Sequence, residues 1–349
     1  MTNRASRDVE PAATPTLLNA AAYVDPAVYA REREAIFARE WAFVADAGQL
    51  ASAGDYVATT IAGYPIVVVN DGGTLRGFSN VCRHRGGPLV WDGEGACKGF
   101  VCRYHGWAYA LDGTLQHARD FGDEALRTDD LSLAPIRVET WRGLTFANLD
   151  MEAAPLIEWL GGFADECAAY PLESFRAVHR SSHHIGANWK VYAENYQEGY
   201  HIPLVHPGLN RQIDARRYRV DVRDGYSVHS APTRDGSVTS GVWLWRFPGL
   251  ALNVYGEGMC LESYAPASAG TTQVNYTFFF SEETTDEEMQ AAITSSDAIL
   301  EEDRIICEAV QRNMASGAYG GGVLSPRHEQ GVLDVQRRVV EALARAERV

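Results

Sequence analysis

The chain has no run of eighteen apolar residues, so no segment reads as a membrane-spanning helix. Its first residues, Met1 to Ala22, lack the charged-then-apolar order of a secretory signal and read as a mobile Ala/Thr/Pro arm. Positive charge is scarce: 31 Lys and Arg against 46 Asp and Glu leave a net charge of −15. Such a chain is poorly suited to nucleic acid or to an anionic membrane surface as partner. Six cysteines in 349 residues do not make a disulfide framework. There is no internal repeat and no glycine-rich phosphate loop. The expectation from these absences is a cytoplasmic protein that acts on neither nucleic acid nor membrane.

What is present is an ordinary globular composition, 46% hydrophobic and 22% charged, in a chain long enough for two cores. Within it lie Cys82-Arg83-His84 and, beyond residues 85–101, Cys102-Arg103-Tyr104-His105. Two thiolates on one iron and two imidazoles on the other are the ligand set of a Rieske [2Fe–2S] cluster. Structural zinc is the rival, since it also takes Cys2His2. Zinc fingers group cysteines with cysteines and histidines with histidines, whereas here each pair is mixed. Arg85-Gly86-Gly87-Pro88 and Gly106-Trp107 place turn-formers directly after each pair, where backbone N–H groups can approach bridging sulfides. Respiratory-type Rieske proteins carry an extra cysteine in each loop; the matching places here hold Gly87 and Tyr104, and Cys97 reads as a free thiol.

Local patterns place these loops. Asp25-Pro26 is a cap followed by proline at the first helical position, opening a helix to about Trp41. From about 41 to 150 the chain reads as short strands: Pro65 to Val69 is a buried strand, Asn70-Asp71-Gly72-Gly73 a hairpin turn, Arg76 to Val81 its return, and Trp141 to Leu149 a closing strand. This is an all-β domain with the Cys/His pairs on hairpin tips. Residues 151–349 begin with a helical linker to about Phe175. Strand material follows (Ala177 to Ile185), then a helix from Asn188 to Tyr200, strands between Arg217 and Phe280, and helices over Asp286–Ala315 and Gln330–Ala344. The fold class is therefore α+β, with residues 1–40 expected to pack on the second domain.

The second domain carries Glu194, Glu198, His201 and His206 in one stretch. If the helix ran through it, Glu194, Glu198 and His201 would share a face at i, i+4 and i+7. Pro203 should bend or end the helix, leaving His206 to be placed by the turn. Two histidines plus a carboxylate, with open positions opposite, form the facial triad of non-heme Fe(II) sites that activate O2. Asp303 is the candidate third ligand. On a helical wheel it lies amid Ile299, Ile306, Cys307 and Val310, with Asp297, Glu301 and Glu308 on the opposite face, expected to be solvated. An acid on a buried stripe is costly unless it is bound to a metal or paired with a base such as arginine.

Together these residues resemble the α-subunits of Rieske non-heme iron oxygenases of the aromatic-ring-hydroxylating type. The likeness runs from about Tyr23 to the C-terminus, anchored on Cys82/His84/Cys102/His105, Asn188-Trp189-Lys190 and Glu198-x2-His201-x4-His206. It implies a helix-grip (START-like) catalytic domain with an antiparallel sheet. It also implies a ring-shaped homotrimer in which one subunit's cluster serves the next subunit's iron, with Glu198 as the bridge between centres. Many ring dioxygenases have Asp at that place; members with Glu include quaternary-ammonium oxygenases. Trp243, Trp245 and Phe247 alternate along one strand and could line a cation-binding pocket, although aromatics so placed more often fill a core.

The expected function is a terminal oxygenase that uses O2 and electrons from an NAD(P)H-dependent reductase or ferredoxin. Its acidic surface suits a basic patch on such a donor. Hydroxylation of a small aromatic substrate is the first reading, and oxidation or N-demethylation of a quaternary ammonium compound of the betaine, carnitine or choline kind is the alternative. A pure Rieske electron carrier and a structural zinc protein are the rivals from other classes; they differ in iron content and colour.

Overall fold

The computed structural model describes residues 14–122, 126, 128–234 and 241–348, so most of the N-terminal arm lies outside the described residues. The first unit is built on a seven-stranded antiparallel sheet. Its order is Ala42–Asp46, Leu144–Asn148, Pro135–Trp141, Thr74–Ser79, Tyr64–Asp71, Asp55–Ile61 and Gly93–Ala96. The strand Tyr64–Asp71 explains the unbroken apolar run seen in sequence. Ile66, Val67, Val68 and Val69 are all fully buried, because both faces of the strand are covered. Ile66 and Val68 join a core shared with the helices of the second unit. Val67 and Val69 join a smaller core with Phe78, Phe100, Trp107 and the two cysteines Cys82 and Cys102. A three-stranded sheet (Phe100–Val101, Ala108–Tyr109, Leu115–His117) closes this smaller core.

The second unit is a seven-stranded antiparallel sheet in the order Arg176–Ile185, Thr271–Phe280, Gly258–Ser268, Leu250–Val254, Val242–Arg246, Tyr226–Ser230 and Arg219–Val222. The helix Asp286–Ala315 opens on a capping box made by Thr285 and Glu288, and it buries Ile293, Leu300, Asp303, Cys307 and Gln311. Leu300 and Cys307 share one core with sheet residues such as Tyr276 and Phe278, which is the helix-grip arrangement. Residues of the helical linker, Leu156, Leu160 and Phe163, pack with Leu244, Leu252 and Leu261 in a separate core. No described helix is long and apolar enough to cross a membrane.

After a single helical turn over Ala21–Val24 comes the helix Pro26–Glu32, capped by Asp25, whose side chain accepts from the Ala27 N–H. It continues as a wider turn over Arg33–Phe37. Glu32 closes a fully buried ion pair with Lys190 at 2.6 Å and accepts from the Trp189 indole at 2.9 Å. The helix Pro26–Glu32 is thereby tied to Trp189–Tyr196, the helix that leads into the histidine pair.

Candidate metal centres

The two Cys/His loops are copies of one turn. In the first, the Cys82 N–H donates to the Gly87 carbonyl and the Gly86 N–H to the Cys82 carbonyl; in the second, Cys102 donates to Trp107 and Gly106 to Cys102. Gly86 and Gly106 each sit at φ near +70°, at 70° and 76°, in the left-handed region that glycine enters without strain. A Cβ on Gly87 would stand 2.9 Å from the Cys102 sulfur, so the neighbouring loop fixes that glycine as well. Cys82 and Cys102 are buried, and the Tyr109 hydroxyl lies 3.3 Å from the Cys82 sulfur. His84 is exposed, stacked on Trp107 and edge-on to His105 at 4.5 Å between ring centroids. Among the described residues these four do not bring all their ligand atoms within 4.8 Å of one another. Four ligands on one tetrahedral zinc would lie within about 4 Å, so the arrangement suits a two-iron cluster, with its cysteine end inward and its histidine end outward.

His201, His206 and Asp303 do converge. The His201 and His206 Nε2 atoms are 3.1 Å apart, and Asp303 Oδ1 lies 3.0 Å from His206 Nε2 and 3.7 Å from His201 Nε2. Ligands about 2.1 Å from one ion at right angles would stand about 3.0 Å apart, so the spacing fits one face of an octahedron. Each imidazole is held from behind. His201 Nδ1 is 2.5 Å from Glu198 Oε1, and His206 Nδ1 is 2.7 Å from Glu302 Oε2. A carboxylate on Nδ1 keeps the proton there and leaves the Nε2 lone pair for a metal. Glu198 also accepts the backbone N–H groups of Tyr200 and His201, which locks the loop. The Asn195 amide donates to Asp303 Oδ1 at 2.6 Å. Burial would depress the His206 imidazole, but Asp303 and Glu302 overcome it and hold its pKa above the ordinary value. The place prefers a cation.

Beside the triad is a cavity of about 160 Å³ whose walls include Tyr192, Tyr196, Tyr218, Trp243, Tyr255 and Tyr276. Tyr218 stacks near-parallel to Trp243, and its ring lies so close to Gly199 that a Cβ there would meet it at 2.4 Å. Glu262 also lines this space, buried to 5% exposure. Its Oε1 accepts from Asn253 at 3.0 Å, Asn253 in turn accepting from the Tyr196 hydroxyl, while Oε2 has no hydrogen-bond partner. Burial pushes the Glu262 carboxyl up to about 8.

The expected residues are sorted by this geometry. His201, His206 and Asp303 meet, with Glu198 against His201, but the helix ends at Tyr196, so the helical face shared with Glu194 does not exist. Glu194 instead accepts from the Tyr23 hydroxyl at 2.7 Å, and burial pushes it up to about 7. Of the three aromatics, Trp243 lines the cavity, whereas Trp245 and Phe247 are buried in the main core with Trp189. On the long helix Ile306 is exposed, and Glu308 is not on a solvated face: it accepts from the Gly186 N–H. Asp297 likewise turns toward His183, at 3.7 Å. Glu302 and Glu262 escaped the sequence reading. Glu302 left only its place beside Asp303 as a signal, while Glu262 stands out as the lone charge in Gly258–Ser268.

Comparison with known proteins matches two family models to the chain. The Rieske [2Fe-2S] domain matches residues 40–128, and the ring hydroxylating alpha subunit catalytic domain matches 172–235 and 225–345. The carnitine monooxygenase oxygenase subunit of Escherichia coli K12 is 35% identical over 86% of this chain and 84% of its own length. The chloroplastic choline monooxygenase of Atriplex hortensis is 28% identical over 89% of this chain and 74% of its own. The quaternary ammonium Rieske monooxygenase CntA in complex with L-carnitine superposes with a TM-score of 0.83 at 30% identity, covering 95% of this chain and 96% of that one. Naphthalene 1,2-dioxygenase, at 22% identity and a TM-score of 0.77, covering 93% of this chain and 92% of its own, shares the fold.

Proposed function

Because the chain belongs to the ring-hydroxylating oxygenase α-subunits, with a Rieske domain ahead of the catalytic domain, we propose that it oxidises a quaternary ammonium compound. The observation that carries this reading is the ring of tyrosines and Trp243 around the cavity at the triad. Aromatic faces attract a desolvated ammonium group, and the relatives at 28–35% identity are named for carnitine and choline. Aromatic hydroxylation, the first expectation from sequence, keeps only the likeness of fold to naphthalene 1,2-dioxygenase.

In this reading Cys82, His84, Cys102 and His105 hold the cluster, and His201, His206 and Asp303 hold the mononuclear iron. The iron, when bound and reduced, supplies O2 activation. The chain's own groups do the rest. Glu198 and Glu302 orient the two imidazoles, Asn195 fixes the Asp303 carboxylate, and the aromatic wall seats the substrate. The outward His84 edge suits electron transfer between subunits of a homotrimer, with Glu198 as the link to the neighbouring cluster and a separate reductase as donor. The cluster unit is assigned to 41–150, the catalytic unit to 151–349 with the N-terminal helix packed on it, and the location to the cytoplasm.

The test is O2 uptake with product mass, using purified enzyme and a reductase, on quaternary ammonium compounds and aromatic acids side by side. Oxygen consumed in step with an oxidised ammonium product is expected. Turnover of aromatic acids alone would overturn the assignment.

A further inference from the structure

A second chamber of about 360 Å³ adjoins the cavity at the triad, and the two share Leu209, Trp243, Tyr255, Ser296 and Ile299 as walls. The Trp243 indole donates to the Tyr255 hydroxyl at 3.0 Å across this shared wall. The outer chamber is largely apolar, with Met259, Cys260, Phe278 and Phe280 on its sides, and its two acids, Glu257 and Glu288, are exposed. Among the described residues no Lys or Arg lines either chamber.

This charge layout discriminates among ammonium compounds. Glu262 is buried with Oε2 unpartnered and lines the inner chamber. A buried carboxylate without a cation is costly, and a substrate cation would remove that cost. A carboxylate on the substrate meets the reverse situation. It would lose its hydration, find no basic partner, and face Glu262 inside and Glu257 and Glu288 outside. An uncharged arm loses nothing in the apolar outer chamber.

We propose that Glu262 is the counter-ion of the substrate's ammonium group, and that the substrate is a net cation with an uncharged, apolar arm rather than a carboxylate-bearing zwitterion. The proposal rests on the quaternary ammonium reading and narrows it. Burial disfavours the ionised Glu262, as does the Asp303 carboxylate, while Asn253 and the Tyr276 hydroxyl favour it; a bound ammonium adds to the favourable side.

The experiment uses the holoenzyme and three probes: n-butyltrimethylammonium, γ-butyrobetaine as its carboxylate-bearing counterpart, and 3,3-dimethylbutanol as an uncharged analogue of choline. Calorimetric binding and O2 uptake are measured for each. The cation should bind and turn over at least about tenfold better than the zwitterion, a difference of about 1.4 kcal/mol. Glu262→Gln should weaken cation binding by about 10- to 100-fold and leave the alcohol within about twofold. Equal or better handling of the zwitterion, or an unaffected Gln variant, overturns the charge assignment while the quaternary ammonium reading stands. If no ammonium compound binds, that broader reading falls, and this one with it. The wild-type panel decides the matter even if the variant fails to fold.

Discussion

At the cluster, two short turns, Cys82–Gly87 and Cys102–Trp107, each close on their own backbone hydrogen bonds and present one sulfur and one imidazole. At the iron site nothing comparable is local. His201 sits at the head of a four-residue helix, His206 at its end, and Asp303 comes from a helix about a hundred residues further on. The first centre is shaped by turn geometry, and the second by packing and by carboxylates that hold each ligand from behind. A site of the first kind tolerates change elsewhere and fails when its own turn is altered. A site of the second kind can be weakened from residues that never touch the metal.

The sharpest break between the centres is in their ligands. Asp303→Ala should abolish turnover and lose the mononuclear iron while leaving the two cluster irons and the visible spectrum in place; Cys102→Ser should also abolish turnover, but by losing the cluster irons and their spectrum while the mononuclear iron stays. Iron counts beside absorption spectra read both, and loss of cluster colour in the Asp303 variant would show that the centres are not independent.

The supporting carboxylates come next. Glu302→Ala should lower mononuclear iron affinity or activity by about 10- to 100-fold with the cluster intact. Glu198→Ala should slow turnover at least as much, again with an unchanged Rieske spectrum. Normal turnover in the Glu198 variant would end its role as the link.

At the cluster the equivalent probe is steric. Gly87→Ala puts a methyl group against the Cys102 sulfur, and overpacking costs of about 1–3 kcal/mol are typical. Cluster occupancy should fall while mononuclear iron binding holds; full occupancy would mean the loops can separate.

The smallest effect concerns Glu194. Its pKa is raised in the fold, so the folded state holds a proton that the unfolded chain releases. Stability therefore falls as pH rises from about 4.5 to about 7, and the penalty is complete above that. Glu194→Gln can keep an acceptor for Tyr23 and Gln336. It should flatten that slope and stabilise the protein by about 1–2 kcal/mol at pH 8, as denaturant titrations at several pH values would show.

How much could be read beforehand follows the same division. The Cys/His loops and the helix Asp286–Ala315 were legible because turns and capping boxes are written in adjacent residues. Asp303 was legible as an acid on a buried stripe. Glu302 was not, since its use depends on where His206 arrives from another element. Trp243, Trp245 and Phe247 share an alternation that cannot say where the cavity stops and the core begins; only the packing of Tyr218 against Trp243 decides it. The extension of the helix past Tyr196 failed because the Glu198 carboxylate takes the backbone N–H groups that a helix would have used.

The buried pair between Glu32 and Lys190 sets an order of assembly. The cluster unit lies between its two partners in sequence, so during synthesis that unit emerges whole before Lys190 exists to meet Glu32. Its own core, with Cys82 and Cys102 in it, is complete by Leu133. The iron site must wait for Asp303, and Ala35, Ile36 and Phe37 of the wider turn must wait for Val335 and Val339 to complete their core. A nascent chain can thus hold a finished place for the cluster while the site that will consume its electrons is still missing.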